Sequence, residues 1–254
     1  MASESPRSRL RWLVTAGPTC EDIDPVRFIS NRSSGTMGYS VARAALARGD
    51  EVTLVTGPVG IEPPDGCELV RVRSAEEMFE AVVGRFDAVD IVIMAAAVAD
   101  YRPKGCARAK IRKDDRDLVI ELTRTRDVLT ELGRLKRGQI LVGFALETPP
   151  EGEGPADPGP SASMRHSAER KLREKNLDVV VLNDPRAMGA QRGAVSVLRR
   201  LPAACLCGSR QVRQGALAGQ EAGAAAWEDW GEAAKDDHAV RLVALAACLP
   251  LPPA

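Results

Sequence analysis

The sequence VTAGPTCEDIDPVRFISNRSSGTM spans Val14–Met37 and carries the clearest structural pattern in the chain. It begins within an apolar run, Arg11–Ala16, passes through a Gly-Pro-Thr turn and an acidic loop, and ends where a helical pattern starts. Gly17, Gly35 and Gly38 allow the backbone to approach a ligand or to pack closely where a side chain would intrude. A strand, a loop and a glycine-rich helix start in this order predict a nucleotide-binding α/β domain.

Two serines stand just before the predicted helix. Ser33 and Ser34 are expected to cap it, because a serine hydroxyl accepts hydrogen bonds from the free N–H groups of a helix start. Those N–H groups and the positive end of the helix dipole favour a phosphate group. The expected nucleotide-binding residues of this segment are therefore Gly17, Ser33, Gly35 and Gly38.

Strand and helix patterns alternate along most of the chain. The predicted strands are Arg11–Ala16, Glu51–Thr56, Glu68–Val72, Asp90–Met94, Ile140–Ala145 and Asp178–Leu182, with an alternating segment at Leu118–Leu122. The predicted helices are Met37–Arg48, Ser74 to about Gly84, Asp127–Leu135, His166–Lys175 and about Asp236–Cys248. Strands that alternate with helices predict βαβ units. The expected fold is an α/β, Rossmann-like, mostly parallel sheet with helices on both faces, in three layers.

The ends of the predicted strands carry many of the candidate functional residues. Right-handed crossovers bring the carboxyl ends of parallel strands to the same edge of a sheet. Four groups fall at such ends, namely Ala16-Gly17, Ala96–Asp100, Phe144 and Asn183. One shared binding site is therefore expected at this edge of the sheet.

Two regions interrupt the alternation of strands and helices. Thr148–Ser163 (TPPEGEGPADPGPSAS) is rich in proline, glycine and serine, which predicts a flexible loop. Residues from about Arg200 to Gly231 show little periodicity, and their pattern predicts no element. The expected organisation is a disordered N-terminus at residues 1–10, a nucleotide-binding ligase domain at 11–200 and a C-terminal extension of uncertain structure at 201–254.

The composition argues against several classes of function. Lys+Arg and Asp+Glu are equal at 35 each, so no overall charge attracts the protein to nucleic acid or to a membrane. The apolar runs are too short to span a bilayer, and the N-terminus lacks an apolar signal core. Two histidines and six scattered cysteines do not form the spacing of a zinc site or a histidine-based triad. We expect a cytoplasmic protein with no nucleic-acid or membrane partner.

Four sets of polar residues could carry chemistry, and all but Asp100 are also given a purely structural interpretation. Asn31 is either a turn former or an amide donor to a carbonyl or phosphoryl oxygen. Asp100 could accept from a ribose or a base, or help to hold a metal ion. The basic cluster around Lys110 is either solvated surface or part of the site. The same choice applies to Lys171 and Lys175, which lie on one helix face.

Six segments between residues 11 and 200 together point to a family. They are TAGPT, DPVRFISNRSSGTMG, AAAVADYRP, KIRK, VGFALET and RKLREKNLDVVVLND, in this order. Taken in register, they resemble phosphopantothenoylcysteine synthetase (phosphopantothenate–cysteine ligase) of the bacterial, CTP-dependent type. Many bacteria join this synthetase to a flavin-dependent decarboxylase. The resemblance here implies a free-standing synthetase without the decarboxylase half.

The resemblance implies a reaction of coenzyme A biosynthesis. The carboxylate of 4′-phosphopantothenate attacks the α-phosphate of CTP and pyrophosphate leaves. The amine of L-cysteine then attacks the acyl-cytidylate and releases CMP. CTP and 4′-phosphopantothenate are polyanions, so Mg²⁺ and lysines are expected at the site. The implied partners are CTP, 4′-phosphopantothenate and L-cysteine, and the implied assembly is a homodimer.

The resemblance also assigns roles to individual residues. Asn31 matches the family's asparagine that acts on the acyl-cytidylate, and no metal ligand is identified. The residues that match nucleotide-contacting positions are Met94, Ala95, Ala96, Asp100, Lys110, Thr125, Arg126, Asp127, Val128, Phe144, Lys171 and Lys175. The pair Thr125-Arg126 departs from the family's usual Asn-Pro, which weakens the match of that loop.

Two other functions fit the sequence less well. An NAD(P)- or flavin-dependent oxidoreductase suits the fold, but it predicts an acidic residue after the second strand, where Val55-Thr56-Gly57 stands. A nucleotide-binding regulator without catalysis would fit the changed loop at Thr125-Arg126. The presence of Asn31, Asp100 and Lys110 argues for the ligase over this regulator.

Overall fold

The centre of the fold is an eight-stranded β-sheet. A computed structural model of the chain describes residues 9–113, 117–147, 160–183, 190–201 and 224–251. The strands in these ranges are β1 (Arg11–Ala16), β2 (Cys20–Asp22), β3 (Phe28–Ser30), β4 (Glu51–Thr56), β5 (Glu68–Arg71), β6 (Ile91–Met94), β7 (Tyr101–Pro103), β8 (Leu122–Arg124), β9 (Ile140–Leu146), β10 (Val179–Asn183), β11 (Arg192–Arg200) and β12 (Ala225–Ala234). The large sheet has the order β12-β11-β10-β9-β6-β1-β4-β5, and β2 with β3 and β7 with β8 form two short ribbons.

Helices cover both faces of the sheet. The α-helices of the described ranges are α1 (Thr36–Ala47), α2 (Ala75–Val83), α3 (Val128–Leu135), α4 (Ala162–Glu174) and α5 (Lys235–Ala247). Helices α1 and α5 share one apolar core with the sheet, and α2, α3 and α4 share the other. The predicted three-layer, Rossmann-like arrangement is therefore confirmed.

The central strands are apolar on both sides because both faces of the sheet are buried. In β1, Trp12 and Val14 belong to the core beneath α1 and α5, whereas Leu13 belongs to the opposite core. In β6, Ile93 belongs to the core beneath α1 and α5, and Val92 belongs to the opposite core. This double burial explains why these strands appear in the sequence as continuous apolar runs rather than as alternating ones.

The sheet is parallel over most of its width and antiparallel at one side. Strands β5, β4, β1, β6, β9 and β10 pair in parallel. Strand β11 is antiparallel to both β10 and β12. The sequence pattern predicted the parallel part, but it predicted neither β11 nor β12. Strand β12 nevertheless belongs to the main sheet, although it lies within the expected C-terminal extension.

Several boundaries differ from the sequence predictions. Helix α4 begins at Ala162, before the predicted start at His166, because the hydroxyl of Ser161 accepts from the backbone N–H of Met164 at 3.4 Å. Of the alternating segment Leu118–Leu122, only the last residue lies in a strand, the short β8. Strand β8 pairs with β7 and does not belong to the main sheet.

Some predicted features lie outside the described residues. These are most of the expected disordered N-terminus, at residues 1–8, most of the expected loop, at 148–159, and most of the segment without a predicted element, at 202–223. Within the described ranges, every helix is either too short or too polar to cross a bilayer.

The order of the strands reverses direction between β1 and β6. From β1 the chain builds outward through β4 to β5, and from β6 it builds the other way through β9 to β10. The loops that leave the carboxyl ends of β1 and β6 therefore turn to opposite sides and open a crevice between them. In open α/β sheets this switch point is where ligands bind.

We predict that Gly38→Ala destabilises the protein by about 1–3 kcal/mol, the usual cost of overpacking. A Cβ atom on Gly38 would lie 2.6 Å from both the Cβ of Ala16 and the carbonyl oxygen of Thr15, which would push α1 away from β1. Urea unfolding monitored by circular dichroism measures the change. Gly105→Ala is the matched control, since a Cβ atom there meets nothing within 4 Å. Equal stability of the two variants would contradict the close contact.

Candidate functional site

Two adjoining cavities open at the carboxyl edge of the sheet. The first has a volume of about 390 Å³ and the second of about 440 Å³. Ala96, Val98, Asp100 and Phe144 contribute to the walls of both. The first cavity extends from this shared wall to the starts of α1 and α5, and the second extends to the loop before α3 and the end of α4. Two ligands that bind side by side would therefore meet at the shared wall.

Hydrogen bonds hold the first cavity's inner wall in place. Beyond β6, the backbone N–H of Ala96 donates to the hydroxyl of Thr15 at 3.0 Å, and that of Ala97 donates to the carbonyl of Gly17 at 2.9 Å. The Nδ2 of Asn31 donates to the carbonyl of Ala97 at 3.0 Å. These bonds place the amide of Asn31 beside the crevice between β1 and β6. The second proton of Nδ2 stays available to a ligand oxygen.

The N-terminus of α1 forms another part of the first cavity. The residue that caps it is Gly35, in the left-handed conformation (φ 80°) and without a side chain to cap the first turn, where Ser34 accepts only a long bond, at 3.5 Å, from the backbone N–H of Thr36. The prediction that Ser33 and Ser34 cap the helix was therefore wrong. The hydroxyl of Ser33 accepts from the backbone N–H of Gly35 at 3.3 Å, and that of Ser34 pairs with the hydroxyl of Thr36 at 2.9 Å. A first turn without a side-chain cap or an acidic residue suits an anion.

The second cavity is bordered by the loop that leads into α3. The backbone N–H and hydroxyl of Thr125 donate to the carbonyls of Asp100 and Ala99 at 3.0 and 2.6 Å, so this loop is bonded to the shared wall. The guanidinium of Arg126 lies over the ring of Phe79, 3.6 Å from its centre, and pairs with Glu76. Thr125 and Arg126, which replace the family's usual Asn-Pro, thus fasten the loop to the protein itself.

An ion pair joins α3 to the end of α4 across the second cavity. Asp127 caps α3 by accepting from the backbone N–H of Thr130 at 3.0 Å, and Lys175 donates to its other oxygen at 2.6 Å. Burial alone would raise the pKa of Asp127, but the bonds from Lys175 and Thr130 outweigh it, so the pKa lies below its ordinary value. Lys175 therefore stands beside the cavity with its charge already balanced.

The second lysine of α4 is also paired. The ammonium of Lys171 donates to Glu147 at 2.7 Å, and the hydroxyl of Ser167 donates to the same carboxylate oxygen at 3.0 Å. Lys171 does not line either cavity. A polyphosphate bound at this end would compete with, or share, the carboxylate partner of Lys175, since the ammonium has three donors.

A buried aspartate in the opening motif holds the basic segment that includes Lys110. Asp24 is only 1% exposed and accepts from the backbone N–H groups of Val26, Arg27 and Ile111, at 2.8, 2.9 and 3.1 Å. The Arg27 guanidinium holds the pKa of this carboxyl well below its usual range. Lys110 precedes Ile111 and is exposed, outside the walls of both cavities.

Most of the predicted site residues lie in the two cavities. The walls include Asn31, Ser33, Gly35 and Ala95 in the first, Met94, Thr125, Arg126, Asp127, Val128 and Lys175 in the second, and Ala96, Asp100 and Phe144 in both. Gly17, Gly38, Lys110 and Lys171 line neither. Gly17 and Gly38 act in the packing beneath the site, because Gly17 bonds the β6 end and Gly38 contacts β1.

The sequence interpretation missed one side of the first cavity. Asn183 was expected at the binding edge but not as a site residue, whereas Gly193, Lys235 and His238 were not considered at all. All four line the first cavity. They come from the end of β10, the start of β11 and the first turn of α5, and no sequence motif marked the last two elements as neighbours of the site.

Asp100 is the candidate ligand for a cation. Its carboxylate lies in the shared wall and makes no hydrogen bond or ion pair with the described residues. No group of three or more His, Cys, Asp or Glu residues suited to a metal ion occurs in the described part of the chain. Mg²⁺ at nucleotide sites is usually held by one or two carboxylates together with phosphate oxygens, so a single aspartate beside a phosphate site fits this ion.

The fold and the two cavities define a Rossmann-like α/β domain with a candidate binding site at the switch point of the sheet. The chain belongs to the family described as DNA/pantothenate metabolism flavoprotein C-terminal domain, which it matches over residues 8–204. Two curated relatives and one solved structure illustrate the similarity.

The coenzyme A biosynthesis bifunctional protein CoaBC of Bacillus subtilis is 48% identical over 183 residues, which cover 72% of this chain and 42% of the relative. A cysteine/cysteine sulfinic acid decarboxylase of an unknown prokaryote is 47% identical over 193 residues, covering 75% of this chain and 50% of the relative. The solved C-terminal domain of a CoaBC protein is 36% identical, with a TM-score of 0.68 and 93% coverage of both chains. The chain thus spans about half the length of its curated relatives.

We predict that Asp24→Asn loosens the segment that contains Lys110. The variant loses the charge that Arg27 and Ile111 bind, so trypsin should cut at Lys110–Lys113 faster than in the parent protein. Asp65→Asn, at an exposed position, is the matched control. Equal cleavage rates in all three proteins would contradict the anchoring role.

The same substitution should show a characteristic pH dependence. Because the folded pKa of Asp24 lies below its ordinary value of 3.8, its stabilisation is fully present above that value and disappears as pH falls toward the folded pKa. The stability difference between the parent and Asp24→Asn should therefore be largest near neutral pH and shrink below about pH 4. Urea unfolding at several pH values measures it, and a difference that grows with acidity would contradict the assignment.

Proposed function

We propose that the protein is a phosphopantothenate–cysteine ligase of coenzyme A biosynthesis, which uses CTP and forms an acyl-cytidylate. The observation that carries this proposal is the pair of cavities that share one wall at the switch point of the sheet. A ligase must hold a nucleotide and an acid next to each other, and two adjoining cavities suit that need. The family and the motif resemblance identify the substrates.

The proposed reaction has two balanced steps. A carboxylate oxygen of 4′-phosphopantothenate forms a bond to the α-phosphorus of CTP, while the bond from that phosphorus to the β-phosphate oxygen breaks and pyrophosphate leaves. The nitrogen of L-cysteine then bonds to the acyl carbon, the acyl–oxygen bond breaks, and CMP leaves. The amine loses one proton as the amide forms. The first step gives a poor electrophile a good leaving group.

The residues of the two cavities suit one cavity for the nucleotide and the other for the acid. We place the nucleotide in the second cavity, where Lys175 can exchange Asp127 for a phosphate. We place the acid in the first cavity, where the free first turn of α1 favours an anion. Asn31 would donate its free amide proton to the oxygen that gains charge in the transition state. Asp100, between the cavities, would hold Mg²⁺, which when bound neutralises charge on the phosphates.

The preference for CTP over ATP is proposed from the resemblance, since none of the cavity residues identifies the base.

The homodimer has separate support in the surface of the domain. Apolar side chains are exposed on the two short ribbons and the segment before β8, and they include Val26, Phe28, Tyr101, Leu118, Val119 and Leu122. Such a patch is typical of a surface that a partner covers, and a second copy of the chain is the partner that we propose.

The experiment that tests the function is pyrophosphate release by the purified protein. The reaction contains Mg²⁺ and 4′-phosphopantothenate with CTP or ATP, each with and without L-cysteine. We expect turnover that depends on CTP and rises with L-cysteine, since the second step frees the enzyme. Turnover with ATP but not with CTP would contradict the proposed preference for CTP and would still support the ligation reaction. No release with either nucleotide would contradict the proposed function.

We predict that Asn31→Ala lowers kcat for the complete reaction by about 10²-fold or more, as expected for the loss of one oxyanion donor. The KM for CTP should change little, because the amide acts on the reacting group rather than on the bound nucleotide. Arg32→Ala is the control, since this neighbour is exposed and lines neither cavity. An equal loss in kcat and in CTP affinity would count against this role for Asn31.

A further inference from the structure

One side of the first cavity has no role in the mechanism described so far. We call it the C-terminal wall and define it by Asn183, Gly193, Lys235 and His238, which line the cavity. Lys235 and His238 lie beyond residue 204, where the match to the family ends. The wall faces the same cavity as Asn31 and the first turn of α1.

The C-terminal wall contains two buried hydrogen-bond acceptors that no described residue pairs. His238 is 2% exposed, stacks on Trp230 and has its Nε2 2.8 Å from the carbonyl oxygen of Gly193. A carbonyl can only accept, so Nε2 carries the proton, and in the neutral ring Nδ1 is an acceptor. Among the described residues, neither this Nδ1 nor the Oδ1 of Asn183 has a hydrogen-bond partner. Buried polar atoms are normally paired, so two unpaired acceptors in one cavity wall call for a donor.

The same wall also offers a cation and a helix N-terminus. Lys235 is the first residue of α5, and its ammonium makes no hydrogen bond or ion pair with the described residues. The residue that caps α5 is Ala234, which has no side-chain acceptor for the first turn. The acidic side chains of this turn do not pair with the positive charge of Lys235. Asp236 bonds Ser40 and Arg43 on α1, and Asp237 is exposed.

We propose that the C-terminal wall binds the amino-acid co-substrate of the ligation, an inference that rests on the proposed function. Lys235 and the first turn of α5 bind the α-carboxylate of L-cysteine. The Oδ1 of Asn183 and the Nδ1 of His238 accept hydrogen bonds from its α-amine. Small movements of these two side chains bring the acceptors to the cavity surface when the amine enters.

The combination of groups distinguishes an amino acid from a phosphate. The negatively charged oxygens of a phosphate would face the lone pairs of the Oδ1 of Asn183 and the Nδ1 of His238. These atoms also carry partial negative charge, so they would repel the phosphate. An α-amino acid carries one anionic group and one donor group on neighbouring atoms, which matches one cation beside two acceptors. Binding at this wall also keeps the amine in the cavity where Asn31 stands and where the acyl group is formed.

The test uses two substitutions that remove one interaction each. Lys235→Met removes the cation and keeps the length of the side chain. Asn183→Leu removes the acceptor Oδ1 and keeps the approximate size of the side chain. We expect each to raise the KM for L-cysteine about ten-fold or more, with the KM values for CTP and 4′-phosphopantothenate unchanged. Asp237→Asn, on the exposed side of the same turn, is the matched control and should match the parent protein.

A substrate analogue tests the carboxylate separately. Cysteamine has the amine and thiol of cysteine but no carboxylate. The parent protein should prefer L-cysteine to cysteamine in kcat/KM, and Lys235→Met should lose at least ten-fold of that preference. A parent protein that uses both equally would overturn the proposal. A rise in the KM for 4′-phosphopantothenate instead of L-cysteine would also overturn it, and would assign the wall to the phosphate.

The first half-reaction separates failure of this inference from failure of the proposed function. Exchange of labelled pyrophosphate into CTP with 4′-phosphopantothenate, without L-cysteine, reports only acyl-cytidylate formation. The variants should retain this exchange, which also shows that they are folded. A parent protein without exchange would contradict the ligase itself. Exchange in all proteins together with an unchanged KM for L-cysteine would contradict only the role of the C-terminal wall.

Discussion

The site depends on the hydrogen bonds that join the carboxyl ends of β1 and β6. Thr15 and Gly17 on one side bond the backbone of Ala96 and Ala97 on the other, and Asn31 completes the connection through the Ala97 carbonyl. The strand order reverses at this point, so the segments that follow β1 and β6 must separate just beyond these bonds. Both cavities arise from that separation, and the shared wall that divides them begins at Ala96. Close packing of α1 on β1 at Gly38 then sets the position of the helix start that faces the first cavity.

Two cations of the second cavity are paired before any ligand binds, Lys175 with Asp127 and Arg126 with Glu76, and Lys171 pairs with Glu147 outside its walls. A triphosphate that draws Lys175 away from Asp127 exchanges one anionic partner for another, whereas Arg124, which also lines this cavity, has no ion-pair partner among the described residues. Part of the attraction between the lysine and the phosphate is offset by the carboxylate that is released, which favours ligands with several negative charges. In the C-terminal wall, by contrast, the ammonium of Lys235, the Oδ1 of Asn183 and the Nδ1 of His238 lack hydrogen-bond partners among the described residues.

Sequence reasoning predicted the parallel part of the sheet because its central strands are apolar runs and most of its strands alternate with helices. It also placed Ala96–Asp100, Phe144 and Asn183 at one edge, since the topology of such a sheet leaves few alternatives, whereas Asn31 came from the resemblance. It could not predict β11 and β12, whose residues are mixed in polarity and pair only after the chain returns to the sheet. Ser33 and Ser34 were expected to cap α1, but Gly35 adopts the left-handed conformation and displaces them. His238 was not predicted as a site residue because it lies close to the site only through the packing of α5 beside α1.

The measurement that tests this account most directly is a crystal structure of the protein with CTP and Mg²⁺ bound. The account predicts that the nucleotide occupies the second cavity, with its α-phosphate next to Asp100 at the shared wall. The ammonium of Lys175 should have left Asp127, to which it is bonded at 2.6 Å without a ligand, and should contact a phosphate oxygen. The first cavity should remain free for the acid and the amino acid. A nucleotide bound away from the shared wall, with the Lys175–Asp127 pair intact, would contradict the account.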